Sequence, residues 1–430
     1  MNAVPHPLLA TADARPAHVV LHTPRQRWTA AELRDRVARR AGSLPVGPGD
    51  VVALAGPRDA QWVVDAHAVG WRGATLRPLD PHLPTDTRDA LLEGVQLRLG
   101  DLPGAHPRRD ADGVDAASWP LAQDRLHIVT SGTTGHPRVV PLSTGQLLFS
   151  AMGSALRLGH LPGDRWIDPL PLHHVGGLAI LFRCAWYGTT VELHPGFDPA
   201  AINHALDAGA THVSLVPAML ERLLDDRGDR PFGPHVRCLL VGGAPTSAAQ
   251  RARAAALGAP VALTWGMTEA ASQVATGFPG DLGSPGVPAL PFAQVTAADG
   301  VLEIHGPTAR GTLRTADRGR VEEGRVHVTG RVDDVILSGG ENLDPAEIEA
   351  TLRQHPAVAD AAVAGRPDPR WGSRPHAWLV ASGSDRPTDD ALGAWVRAHL
   401  EPYKAPDRFT WVERLPRNAM GKLLRRALRD

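Results

Sequence analysis

The sequence predicts an α/β protein with three parts. These are a large N-terminal domain of mostly parallel sheets with helices, a small antiparallel barrel-like unit and a small α+β C-terminal domain. Three observations predict this. Strand and helix signals alternate through the first half of the chain and beyond it. The stretch Ala289 to Arg331 is rich in glycine and β-branched residues, the composition of short antiparallel strands. After Arg331 a new pattern of strand, glycine turn and capped helix begins. A chain of 430 residues, 43% of them apolar, buries a large core and divides into two or three domains.

Thr29 and Glu32 have the spacing of a capping box, and Leu33, Val37, Ala38 and Ala41 then share one helical face. Val51 to Ala55 reads as a strand ending at Gly56 and Pro57, with a helix from Ala60 to Val69 and a strand from Thr75 to Leu79. Asp110 to Pro120 is a polar connection. Leu126, Ile128 and Val129 end a strand at a turn rich in glycine and hydroxyls, Thr130 to Val140, in which Pro137 blocks continuation. Helices are expected over Thr144–Leu158 and Leu178–Trp186.

Strands over Thr211–Val216, Cys238–Val241 and Val261–Thr264 each stop at a turn, and these turns should gather at one sheet edge. Ligands of open parallel sheets bind at the carboxyl ends of strands, so those turns and the Thr130–Val140 stretch define one crevice. Val301–His305 and Thr312–Thr315 are short strands leading to Asp317. Asp344, Pro345 and Glu347 form a capping box with proline at the first helical position. Beyond it lie a helix over Ala346–Gln354, strands over Val358–Ala364 and His376–Val380, a helix over Asp389–His399 and a strand over Phe409–Val412. The domain boundary falls at Arg331 to Asp333, giving residues 1–330 before a hinge at 331–333 and residues 334–430 after it.

A net charge of −1 without a basic block argues against a nucleic-acid groove. Met1 to Thr11 lacks the basic and apolar regions of a signal peptide, and no stretch reaches the roughly 18 uncharged apolar residues of a membrane span. A soluble cytoplasmic protein is expected, and a homo-oligomer is compatible with the sequence. Cys184 and Cys238 lie in apolar stretches and read as buried free thiols. Arginine heavily outnumbers lysine, which we attribute to coding bias.

The chemistry centres on Thr130 to Val140. Gly132 and Gly135 let the backbone approach a ligand, Ser131, Thr133 and Thr134 add hydroxyl donors, and Arg138 supplies a counter-charge for a polyphosphate. The same residue types also make ordinary polar turns. The common NTPase loop is excluded, because His136 stands where that motif needs lysine. The stretch resembles the phosphate loop of the acyl-adenylating (ANL) superfamily, which includes acyl-CoA synthetases, luciferases and peptide-synthetase adenylation domains. Its usual form is TSGTTGxPKG, and Arg138 and Val139 replace the last lysine and glycine.

Further residues match that superfamily in order. Gly242, Gly243 and Ala244 offer a flat surface for adenine, and Trp265 an aromatic cover, where the family's Tyr-Gly-x-Thr-Glu has tyrosine. Gly266 and Thr268 lie against the nucleotide, and Glu269 is a hard oxygen ligand suited to Mg²⁺. A helix start reads equally well at Thr268 and Glu269. Asp317, in Thr315-Ala316-Asp317, matches the family's ribose-binding aspartate although alanine replaces its glycine. Arg331 adds charge at the hinge. Gly339 and Gly340 match the turn that meets the pantetheine arm of coenzyme A. Lys422 matches the C-terminal lysine of P-x-x-x-x-G-K.

His173 and His174 precede the pair Gly176 and Gly177, a pattern met both in buried hydrogen-bonded histidines and beside a bound ligand. The superfamily's substrate-pocket motif favours the second, with His174 at the pocket. Residues 171–183, 187–191, 211–217 and 266–276 are similar to the o-succinylbenzoate–CoA ligase branch of the menaquinone pathway. That implies an aromatic acid with a second carboxylate, anchored among His174, Gly176, Gly177, Ser272, Gln273, Thr276 and, less directly, Arg183. The resemblance further implies ATP, Mg²⁺ and coenzyme A, with a C-terminal domain that swings about the hinge to deliver and withdraw Lys422. CoA ligases for other aryl or medium-chain acids share every nucleotide-site residue, and a non-catalytic nucleotide-binding relative would share many of them.

Overall fold

The computed structural model describes residues 2–108, 111–131, 137–417, 421 and 423–428. The chain divides into two compact units, residues 1–294 with 304–313, and residues 295–303 with 314–430. The position expected for a hinge, 331–333, lies inside the second unit.

The first unit contains two large sheets. One has five strands in the spatial order Leu97–Gly100, Val51–Ala55, Thr75–Pro78, Asp124–Ser131 and Pro137–Ser143, parallel except for the last. The other runs Ser272–Thr276, Val261–Met267, Cys238–Gly242, His212–Leu215, Arg165–Asp168, Thr190–Leu193, Val19–His22 and Arg27–Thr29. Its six central strands are parallel and both edges are antiparallel. The strands are short apolar runs buried on both faces, the composition that parallel sheets covered by helices require. The helix Ala30–Gly42 starts from the expected capping box, with the Thr29 hydroxyl and Glu32 carboxylate bonding each other's backbone N–H. Cys184 and Cys238 are buried and unpaired, as expected, and burial raises the Cys184 thiol to about 12.

In the second unit, Leu313–Glu322 pairs antiparallel with Arg325–Arg331. Ile336–Ser338 and Glu341–Leu343 form a hairpin whose turn residues Gly339 and Gly340 have φ of 60° and 90°. Left-handed backbone at both turn positions is the geometry of the tightest hairpins, and glycine adopts it without strain. The sheet Val358–Asp368, Gly372–Ala381 and Arg408–Trp411 packs against the helices Pro345–Leu352 and Asp389–His399 over a core of Ile348, Leu352, Val363, Leu379, Leu392 and Val396.

Several expectations are corrected. Pro137 does not end the strand signal. It opens an antiparallel edge strand, where a missing N–H leaves no ladder bond unmade. The stretch 124–143 and the three later strand-end turns therefore belong to different sheets. The third of those strands continues to Met267, because Ser272–Thr276 folds back as its antiparallel partner. The helix expected from Leu178 begins at Val175, so Gly176 and Gly177 occupy its first turn. Asp317 lies within a strand interrupted by a bulge at Arg318 and Gly319. Asp344 caps its helix through Ala346 N–H, but Glu347 instead takes the Lys404 ammonium at 2.7 Å.

Four histidines of the first unit are buried and held neutral. His6 and His67 pack with Trp71, Trp119 and Phe182, while His160 stacks on Tyr187, Trp166 and His212. Burial is the main cause, lowering His67 and His212 to about 4, His160 to about 3 and His6 well below its ordinary value. Each imidazole is neutral in the fold and protonates near pH 6.5 when unfolded, so its stabilisation is complete above that value and declines as pH falls toward about 4. The urea midpoint is therefore expected to fall on going from about pH 7 to about pH 5. A midpoint unchanged over that range would contradict the assignment.

Candidate active site

The elements that carry the predicted residues are built locally. In the first unit, Thr130 faces Arg138 across the antiparallel pair, and the Thr130 hydroxyl donates to the Arg138 carbonyl at 3.3 Å. Gly132, Thr133, Thr134 and Gly135 lie outside the described residues, as does the side chain of Ser131. Arg138 reaches the turn after the third strand, where its guanidinium stands 3.8 Å from the Glu269 carboxylate. Thr268 and Glu269 form a single 3-10 turn, Thr268–Ala270.

A residue missed by the sequence reading joins these pieces. The Gln146 amide nitrogen donates to the carbonyls of Glu269 at 3.1 Å and Thr308 at 3.2 Å. Its oxygen accepts from Ser143 N–H at 3.0 Å, closing a capping box at the start of the helix Thr144–Leu158. The spacing of Ser143 and Gln146 was the available signal. The last strand of one sheet, a helix and the Glu269 turn following the other sheet thus share one buried side chain.

The turn itself is tightly built. A Cβ on Gly266 would lie 1.8 Å from the Ser272 carbonyl oxygen, so only glycine fits. Ala271 and Ser272 have φ of 55° and 102°, a left-handed backbone that costs non-glycine residues energy and collects at functional turns. Gly242 is required by packing as well, since a Cβ there would meet Thr264 Cγ2 at 2.6 Å; Gly243 has φ of 86°, and Ala244 and Trp265 are partly buried. The returning strand buries Gln273 and Thr276, bonded to each other at 3.0 Å, and leaves the Gln273 amide oxygen without a hydrogen-bond partner among the described residues. Ser272 remains partly exposed.

His174 is the residue preceding the helix Val175–Tyr187, its ring 4.4 Å from that of His173. Burial, reinforced by His173, lowers it to about 4, so at neutral pH it is an uncharged imidazole. A Cβ on Gly177 would meet the Pro171 carbonyl oxygen at 2.6 Å. That glycine lets the helix sit on the preceding turn, and Gly176 is partly buried beside it. Arg183 faces the interior, where it donates to the Ser150 hydroxyl at 3.3 Å, and Ser150 donates to the Ala271 carbonyl at 2.8 Å. Among the described residues no carboxylate lies within ion-pair distance of Arg183.

In the second unit, Arg331 bonds the Asp317 carboxylate at 2.9 Å from the directly paired strand position and stands 3.5 Å from Asp333. Thr315 supports Asp317, its hydroxyl accepting from Asp317 N–H at 3.0 Å and donating to the Leu302 carbonyl at 2.8 Å. At the glycine turn, Gly339 N–H donates to the Trp371 carbonyl at 2.9 Å, and a Cβ on Gly339 would lie 2.6 Å from the Trp371 ring. Lys422 lies outside the described residues, between Gly421, whose carbonyl accepts from Arg417 at 2.9 Å, and Leu423, which bridges to Arg417.

Residues 8–100 and 103–318 match the AMP-binding enzyme family, and residues 347–422 match the AMP-binding enzyme C-terminal domain. The 2-succinylbenzoate–CoA ligase of Geobacillus kaustophilus is 34% identical, over 100% of this chain and 98% of that protein. The Bacillus subtilis protein of that name is 33% identical, over 99% and 98%. Among solved structures, Bacillus subtilis o-succinylbenzoate CoA synthetase in complex with its acyl-adenylate intermediate superposes with a TM-score of 0.90 at 32% identity, covering 100% of this chain and 99% of that one. The same enzyme with ATP and magnesium ion also gives 0.90 at 32%, covering 100% of both.

Removing the amide of Gln146 leaves two carbonyls without their donor. Gln146→Leu is expected to cost about 1–3 kcal/mol, read as a lower urea midpoint at unchanged slope. An unshifted midpoint would remove Gln146 from the architecture of the site.

Proposed function

The chain belongs to the AMP-binding enzyme family, and from that premise we propose that it is an AMP-forming acid–CoA ligase acting on 2-succinylbenzoate in menaquinone biosynthesis, in the cytoplasm. The observation that carries this reading is likeness to 2-succinylbenzoate–CoA ligases along essentially the whole of both chains. A substrate carboxylate oxygen attacks the α-phosphorus of ATP and expels diphosphate, leaving an acyl-adenylate. The thiol of coenzyme A then attacks the activated carbonyl, releasing AMP and the thioester.

Such chemistry asks the protein chiefly to position reactants and neutralise charge. Arg138 and the loop from Thr130 to Gly135 hold the phosphates. Gly242 to Ala244 with Trp265 and Gly266 receive the adenine, Asp317 the ribose, and Thr268 a phosphate oxygen. Glu269 is partly exposed with a cation already beside it, and a single hard carboxylate suits Mg²⁺ held mainly by phosphate and water. When bound, Mg²⁺ supplies charge neutralisation on the phosphates. Arg331 and Lys422 bring positive charge to the reacting groups. Residues 331–333 act as the hinge between domains of residues 1–330 and 334–430, and Gly339 and Gly340 meet the pantetheine arm once Lys422 has withdrawn.

His174, Gly176, Gly177, Ser272, Gln273 and Thr276 line the acid pocket. His174 acts there as a neutral hydrogen-bonding group, because its imidazole is uncharged at neutral pH. The second carboxylate of the acid needs a cation. Arg183 supports that role, being buried without a carboxylate partner among the described residues and linked through the Ser150 hydroxyl to the Ala271 carbonyl, just before the strand that carries Ser272, Gln273 and Thr276.

CoA thioester formation is expected with 2-succinylbenzoate and not with benzoate. Equal rates would exclude the assigned acid. Lys422→Ala is expected to abolish adenylate formation while leaving thioester formation from a supplied adenylate largely intact; loss of both steps to the same degree would remove the lysine from its role. Arg183→Met is expected to raise KM for the diacid by about tenfold to a hundredfold, with KM for ATP unchanged. If KM for ATP rises with it, Arg183 does not bind the acid.

A further inference from the structure

The turn that leads to His174 is gripped from the opposite sheet by Arg58, which pairs with the buried Asp168. Arg58 follows the strand Val51–Ala55 of the five-stranded sheet, just before the helix Ala60–Trp71. Asp168 ends the strand Arg165–Asp168 of the eight-stranded sheet. The Arg58 guanidinium donates to the Asp168 carbonyl at 2.9 Å and the Pro169 carbonyl at 2.8 Å, and stands 3.6 Å from the Asp168 carboxylate. That carboxylate accepts from Leu170 N–H at 3.0 Å, so both side chains bind the backbone of one three-residue segment. Its other oxygen and the Arg58 Nε are buried without hydrogen-bond partners among the described residues.

Four residues beyond Leu170 the chain reaches His174. Between them, the turn is pressed from its far side by the helix start at Gly177, whose missing side chain is filled by the Leu170 and Pro171 carbonyls. A segment clamped at Asp168–Leu170 and backed at Gly177 leaves the His173–His174 backbone little freedom. The clamp comes from a different sheet, so the position of the imidazole reports how the two sheets are registered.

A buried pair of opposite charges is seldom justified by stability alone, because well-packed apolar residues of the same volume often do as well. Burial raises the Asp168 carboxyl to about 7 even with Arg58 beside it. What apolar residues cannot do is donate to two backbone carbonyls and accept from a third residue's N–H, thereby fixing the direction of the chain.

We propose that Arg58 and Asp168 are positioning residues for the acid substrate, holding the His174 imidazole in place across the junction of the two sheets. This rests on the reading of His174 as a contact of the acid. The test measures KM for the acid and for ATP, with kcat, in Arg58→Met, in the charge-free double variant Arg58→Met/Asp168→Asn, and in His174→Ala. A rise of about tenfold or more in KM for the acid is expected in all three, with KM for ATP within about twofold. A general loss of folding moves both KM values together, and the double variant, which leaves no buried charge unpaired, guards against it. If His174→Ala raises KM for the acid and the Arg58 variants do not, the proposal is overturned while the reading of His174 stands. If His174→Ala leaves KM for the acid unchanged, the reading of His174 falls and the proposal falls with it.

Discussion

The first unit depends on polar side chains that cross from one sheet to the other. Two sheets packed only through aliphatic contacts slide and repack at small cost, since hydrophobic burial has no direction. Gln146 and Arg58 remove that freedom. Gln146 joins the last strand of the five-stranded sheet to the Glu269 turn, and Arg58 joins the end of another of its strands to the Asp168 turn. Both donate to backbone carbonyls, Gln146 to those of Glu269 and Thr308 and Arg58 to that of Pro169 beside the one of Asp168, which also accepts from His194 N–H, so loosening either one weakens the polar pairing of its turn. Glu269 lies on the first of these turns and His174 four residues beyond Leu170 of the second.

The charge pattern follows from burial. At His174, burial and a neighbouring histidine keep the imidazole neutral. At Arg183, arginine carries a charge that persists even where burial works against it. In the second unit Arg331 and Asp317 neutralise each other on paired strands. Lys404 and Lys422 are the only lysines in the chain. Lys404 is held between Glu347 and Glu401 at 2.7 Å each.

Short-range chemistry was readable before any fold. The capping box at Thr29, the buried thiols Cys184 and Cys238, the glycine turn at Gly339 and Gly340 and the helix Thr144–Leu158 depend on residues close together in the chain, and each formed as expected. The class of fold was equally legible, because alternating apolar strands and amphipathic helices admit few arrangements. The readings that failed involved partners distant in sequence. Pro137 looked like a stop and begins an edge strand because Asp124–Ser131 lies alongside it. Glu347 looked like half of a capping box and answers Lys404.

By itself the sequence determined the local elements, the class of fold and the order of residues suited to holding a nucleotide and an acid, since these rest on backbone preference, periodicity and side-chain type. Only the tertiary structure decided that the phosphate-loop strand and the later strand-end turns rise from separate sheets, and that Gln146 and Arg58 tie those sheets together. The physical reason is that a hydrogen bond to a distant carbonyl leaves no mark in the order of residues. It exists only once the two sheets have packed and water has been excluded between them.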